Sequence, residues 1–168
     1  MNKIIDAAKK YKELNEYAEK FQVVVFGDGY LTDFPYYDLM QGRITDYAVY
    51  NRSISDLTVG EAINVVDYCL YHLAPQTLLL HFEPSVQDDS FREKYLVLIR
   101  KIRSFYKKCS IGLLEASDQK GDVIEKIAGA ARCNYLFIPK EWDSLRSFHK
   151  MDAFFRGGEI SFYDAFSI

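Results

Sequence analysis

Apolar residues along the chain alternate between two patterns. Short continuous runs of β-formers occur at Val23–Phe26, Tyr47–Tyr50, Thr77–Phe82, Ser110–Glu115 and Tyr135–Ile138. Between them, apolar positions recur every three or four residues, the spacing of one helix face. Ile4, Ile5, Ala8, Tyr11, Leu14, Tyr17 and Ala18 predict an amphipathic helix over about residues 3–20. Its packing on the parent sheet is expected ahead of contact with another subunit. Leu31–Gly42 reads as a loop running into a short helix. Thr58, with Glu61 three residues on, has the capping-box pattern. The helix it opens carries Ala62, Val65, Val66, Cys69, Leu70 and Leu73 and stops before Pro75. Asp89 or Ser90 caps a helix with Phe91, Tyr95, Leu96, Leu98, Ile99, Ile102 and Phe105 on its apolar face. Val123, Ile124, Ile127, Ala128 and Ala131 predict another. Beyond Glu141, Leu145, Phe148, Met151 and Phe154 predict helical turns that Arg156-Gly157-Gly158 breaks. Periodicity leaves Ile160–Phe166 open between strand and helix.

Runs that are apolar on both faces suit strands covered by helices on both sides. Strands and helices alternate throughout, with no repeat, linker or low-complexity segment. The order predicts one α/β domain over residues 1–168, a three-layer α/β/α sandwich around a mainly parallel five-stranded sheet.

Composition narrows the function classes. A chain of 168 residues buries about 70% of its unfolded surface, so its core needs no metal or disulfide. Net charge is −3, and the basic residues between Arg92 and Lys108 alternate with apolar ones. That is a solvated helix face; a nucleic-acid partner needs a clustered basic surface and is not expected. Cys69, Cys109 and Cys133 are far apart, without metal-ligand spacing, and are expected as reduced, buried thiols in the cytoplasm. Met1–Lys20 has no apolar run of signal or membrane-span length, so no membrane association is expected. The 13 Tyr and 12 Phe read as large core residues plus amphipathic surface.

The candidate chemistry begins where Val23–Phe26 ends in Gly27-Asp28-Gly29. Two glycines allow a sharp turn or a close approach, and open α/β sheets bind ligands beyond the carboxyl ends of their strands. Phe26-Gly27-Asp28-Gly29-Tyr30-Leu31-Thr32-Asp33 resembles F-G-D-S-x-T-D, the first block of the SGNH hydrolases, or GDSL-type lipases and esterases. Asn51-Arg52-Ser53-Ile54-Ser55 resembles their second block, N-x-G-x-x-G, and Leu78–Val86 takes the place of the third, an apolar strand ending in G-x-N-D. The resemblance spans about residues 22–166. It implies a flavodoxin-like sandwich with its site at the strand ends. In active members the first-block serine attacks an ester carbonyl and a C-terminal Asp-x-x-His supplies the base and its orienting carboxylate. The second-block glycine and third-block asparagine help form the oxyanion hole.

The departures from this pattern decide the chemistry. Gly29 stands at the nucleophile position and has no side chain to activate, which closes the acyl-enzyme route there. Ser53 or Ser55 replaces the oxyanion-hole glycine. Glu83-Pro84-Ser85-Val86 replaces the third block, and Pro84 has no N–H to donate. No Asp-x-x-His is found near the C-terminus, where Gly157-Gly158-Glu159-Ile160 stands instead. Of the three histidines, His72 reads as a solvated or helix-capping residue, His81 as a satisfied core residue, and His149 as the least constrained.

The expected protein is therefore a hydrolase-like domain that has lost esterase activity and keeps a pocket at the strand ends. Candidate pocket residues are Asp28, Gly29, Tyr30, Ser53, Ser55, Glu83 and Ser85. No catalytic residue, metal ligand or cofactor is assigned. The expected partner is a small sugar-like or ester-like molecule, or a protein. A small cytoplasmic protein of a bacterium that modifies carbohydrates or cell-surface polymers is the setting the resemblance suggests. One alternative is a divergent esterase with a relocated set, either paired carboxylates at Asp28 and Glu83 or Ser53 or Ser85 with His149. Another is an interaction scaffold using the N-terminal helix and an aromatic patch at Phe34, Tyr36 and Tyr37.

Overall fold

Val23–Gly27 forms β1, buried along its whole length, which is what a run apolar on both faces requires. The computed structural model describes residues 2–42, 45–84 and 89–157. Within them β1 pairs in parallel with β2 (Val49–Asn51) on one side and β3 (Thr77–His81) on the other. Then β3 pairs with β4 (Ser110–Ser117), and β4 with β5 (Asn134–Pro139), again in parallel. The order β2-β1-β3-β4-β5 is the flavodoxin-like order of a doubly wound sheet, whose crevice lies between β1 and β3.

Alternate residues of each strand enter opposite cores. Val24, Phe26, Leu78, Leu80, Ile111 and Leu113 face α3 (Val59–Leu70), α4 (Phe91–Phe105) and α5 (Val123–Ala131). Val23, Val25, Leu79, Leu114, Leu136 and Ile138 face α6 (Ser144–Gly157) and the short α2 (Tyr36–Met40). The expected three-layer α/β/α sandwich is present, and its sheet is wholly parallel. Thr58 and Glu61 form the capping box of α3: the Thr58 hydroxyl accepts from Glu61 N–H, and the Glu61 carboxylate accepts from Thr58 N–H.

The N-terminal helix is shorter than expected. It runs Asn2–Asn15 as α1 and packs on α3, with Ala8 buried in the same core as Val24 and Phe26. The helix stops because Asn15 turns inward. Its amide donates to the Cys69 carbonyl (3.0 Å) and its oxygen accepts from Arg52 Nε (2.8 Å). Arg52, itself buried, lies over the rings of Tyr11 and Tyr50, and Tyr11 donates to the Ser53 carbonyl (2.6 Å). Tyr17 is exposed. The second strand begins at Val49, later than expected, because Tyr47 is drawn to Asp152 of α6 and Ala48 N–H to the Gln22 side chain. The aromatic patch of the scaffold alternative is not formed: Phe34 and Tyr36 are buried in the second core, and Tyr37 alone of the three is exposed. All three cysteines are free; Cys69 is buried and Cys109 and Cys133 are half-buried. Among the described residues, no helix is long and apolar enough to cross a membrane. Ile160–Phe166 lies outside the described residues.

Candidate functional site

The ends of β1 and β3 are locked together by a glycine. Gly27 sits opposite His81 in the register, with φ +150°. A Cβ on Gly27 would fall 1.9 Å from the His81 carbonyl oxygen, so only glycine allows the two backbones to approach this closely. The next two hydrogen bonds run in opposite directions between the same residues. Asp28 N–H donates to the His81 carbonyl (3.0 Å), and the His81 ring Nδ1 lies 3.0 Å from the Asp28 carbonyl. The chain then makes a single 3-10 turn at Gly29–Leu31. Gly29 takes the left-handed conformation, φ +54°, which costs a residue with a Cβ roughly 1–2 kcal/mol. In contrast to Gly27, it has space: the His81 Cε1, 3.8 Å away, is the near neighbour a Cβ would meet.

Above this turn is a cleft of about 400 Å³ lined by Asp28, Gly29, Tyr30, Asp56, Thr58, Glu83 and Lys140. Its walls are the connections that leave β1, β2, β3 and β5. The second-block segment is tied to the first, since Ile54 N–H donates to the Gly27 carbonyl (2.9 Å). Tyr30 packs against Phe34 and against the His81 ring.

Asp28 is only 4% exposed. Burial is the main force raising its carboxyl, to about 6; the charges of Glu83 and Asp56 push the same way, and hydrogen bonding from the Glu83 backbone N–H opposes them. Its Oδ1 makes no hydrogen bond among the described residues. His81 is 2% exposed, and burial holds its imidazole below the ordinary range, so the ring is neutral at pH 7. The Asp28 carboxyl, 3.8 Å from Nδ1, is therefore a polar neighbour of His81 and not its ion-pair partner. A carbonyl can only accept, so Nδ1 carries the proton and Nε2 is the basic nitrogen. Lys140 lies 3.9 Å from Glu83, both near the solvent, where such a pair contributes little. Three carboxylates against one ammonium make the cleft rich in acceptors.

Of the residues expected in the pocket, Asp28, Gly29, Tyr30 and Glu83 share this cleft. Ser53 and Ser55 do not line it: Ser53 is buried, and Ser55 is exposed on the following turn. Ser85 lies outside the described residues. The glutamate and aspartate of the proposed carboxylate pair are adjacent, since the Asp28 carboxyl meets the Glu83 backbone. His72 is exposed in a left-handed turn beyond α3, and His149 is exposed on α6; neither lines the cleft. His81 is the core histidine expected, but it lies at the end of β3 beneath Gly29. Asp56, Thr58 and Lys140 were not anticipated. The signal for them was positional: each follows a strand's carboxyl end, where open α/β sheets bind ligands. Among the described residues, no group of three or more His, Cys, Asp or Glu is arranged to hold a metal ion.

Comparison with solved structures places this architecture beside "a putative platelet activating factor from Streptococcus pneumonia", with a TM-score of 0.64 and 17% identity. The match covers 82% of this chain and 75% of that one. The likeness is one of fold. No family model matches the chain, and neither does any curated protein.

Proposed function

We propose that the chain is an SGNH-hydrolase-like binding protein whose cleft above Gly29 holds a small, neutral, hydroxylated ligand of the sugar class, and that it does not hydrolyse esters through a serine. The observation that carries this reading is Gly29 itself. A neutral histidine lies beneath the first-block turn, yet the residue at the nucleophile position offers no hydroxyl. The chemistry of the walls supports the ligand class. Carboxylates accept from ligand hydroxyls with charge-assisted strength, while a phosphate would face Asp28, Asp56 and Glu83 with a single lysine in return. Tyr30 supplies an aromatic surface beside them.

The test is an assay of the purified protein with short-chain p-nitrophenyl esters, together with amide NMR spectra recorded during addition of simple methyl glycosides. No ester turnover is expected, and glycoside-induced shifts should centre on Asp28, Gly29, Tyr30 and Glu83. Ester turnover abolished by Glu83→Gln would sink the reading. It would favour the paired-carboxylate hydrolase instead, which draws on the raised Asp28 carboxyl beside Glu83.

A further inference from the structure

We propose that the ligand of this cleft seats a hydroxyl group above Gly29 and donates its proton in a hydrogen bond to Nε2 of His81. The proposal rests on the binding reading above and names the group that is recognised and the atom that recognises it.

Three observations converge on that atom. First, the tautomer of His81 is fixed. Its Nδ1 donates to the Asp28 carbonyl at 3.0 Å, which leaves the lone pair on Nε2. Second, the ring is held in place from both directions, because Asp28 N–H donates back to the His81 carbonyl and the Gly27 contact keeps the two strand ends together. No hydrogen bond to Nε2 is made among the described residues. Third, the ring's Cε1 is 3.8 Å from where a side chain at position 29 would begin. Cε1 joins the two ring nitrogens, and with Nδ1 committed to the Asp28 carbonyl, Nε2 is the one left to accept. The missing side chain leaves space for one oxygen-bearing group between the imidazole and the cleft.

The burial of the site selects the donor. His81 and Asp28 are 2% and 4% exposed, so the group that reaches Nε2 leaves water. A hydroxyl loses far less solvation than an ammonium on that transfer. A hydroxyl also keeps its own lone pairs for the N–H groups of the turn. The carboxylates nearer the mouth then receive the neighbouring hydroxyls of a polyol or sugar.

The placement of Nε2 can be tested without knowing the ligand. Gly29→Ser builds a hydroxyl into the proposed space. With a fluorophosphonate probe, its oxygen forms a bond to phosphorus, fluoride leaves, and the hydroxyl proton passes to Nε2. His81→Asn keeps the donor to the Asp28 carbonyl and removes Nε2, so it separates base from scaffold. Labelling of Gly29→Ser is expected to run at least about tenfold faster than that of the Gly29→Ser/His81→Asn double variant, with the wild type unlabelled at this position. Equal labelling of the two folded variants overturns the proposal. Long-range proton–nitrogen NMR of the wild type gives a second reading that needs no variant. The proton must be found on Nδ1, and a proton on Nε2 would overturn the proposal. Methylammonium shifting the Nε2 resonance where methyl glycosides do not would overturn the hydroxyl assignment. If the labelling result holds but no methyl glycoside perturbs the cleft, the binding reading fails and the acceptor geometry stands.

Discussion

Replacing Asp28 by asparagine should stabilise the protein at neutral pH, although it alters a residue at the centre of the candidate site. The Asp28 carboxyl is raised from 3.8 to about 6, chiefly by burial. The sign follows from the two states. Below pH 4 the carboxyl is protonated both folded and unfolded. Between about 4 and 6 the unfolded chain releases the proton while the folded chain keeps it, so the folded state loses stability as pH rises. Above about 6 the loss is complete. At about 1.4 kcal/mol per pKa unit the ceiling is about 3 kcal/mol. Solvent reaches the cleft wall, so about half of that, ~1.5 kcal/mol, is the better expectation. Asparagine keeps the carbonyl that accepts from Glu83 N–H and carries no charge to bury. Urea unfolding followed by circular dichroism, from about pH 4 to about pH 8, measures the difference. The variant should match the wild type within about 0.5 kcal/mol at the acid end and exceed it by ~1.5 kcal/mol above pH 7. The reasoning is refuted if the gap is flat across pH, or if the variant is less stable at neutral pH by about 1 kcal/mol or more. His81 faces Asp28 and is itself lowered by burial, but it titrates in both proteins and drops out of the comparison to first order.

Three further substitutions probe the frame around the site. Gly27→Ala drives a Cβ into the His81 carbonyl at 1.9 Å, and should abolish cooperative thermal unfolding or cost more than about 4 kcal/mol; a variant within about 1 kcal/mol of the wild type would show that the strand ends can part. Arg52→Met removes the donor to Asn15 Oδ1 inside the core, with an expected loss of about 2–3 kcal/mol and faster hydrogen exchange in α1 than in α5; uniform exchange would mean that Arg52 does not anchor α1. Thr58→Ala removes the capping box at the start of α3 and should cost about 1 kcal/mol by urea denaturation.

The sheet was legible because its central strands β1, β3 and β4 are buried on both faces, and continuous runs such as Val23–Phe26 and Leu78–Leu80 mark that environment. The capping box was legible for the same kind of reason, since Thr58 and Glu61 act locally. The end of α1 was not. Helical spacing continues to Ala18, but the chain leaves the helix at Asn15, whose partners Cys69 and Arg52 are distant in sequence. His81 was hidden in a different way. In a strand apolar on both faces, a histidine reads as core at any position. Whether it lies mid-strand or at the rim depends on pairing with Gly27, which no local pattern encodes. Asp56, Thr58 and Lys140 come from separate connections and meet only once the strand order β2-β1-β3-β4-β5 is known.

The two glycines of the opening turn are glycines for different reasons, and the difference bears on function. At Gly27 the backbone of β3 fills the place of a side chain, so glycine is a requirement of the fold. At Gly29 the surrounding space is open, and the left-handed backbone, at roughly 1–2 kcal/mol, is the main obstacle to a side chain. Packing alone therefore does not explain why position 29 lacks one. What the missing side chain changes is the site: it leaves space beside Cε1 of a neutral, clamped histidine, next to a cleft whose walls carry acceptors. A hydroxyl fixed to the protein at that point would complete a nucleophile–base pair. With no such hydroxyl, the same geometry admits one from a ligand. The proposed binding function, in place of a serine reaction, thus rests on a single residue.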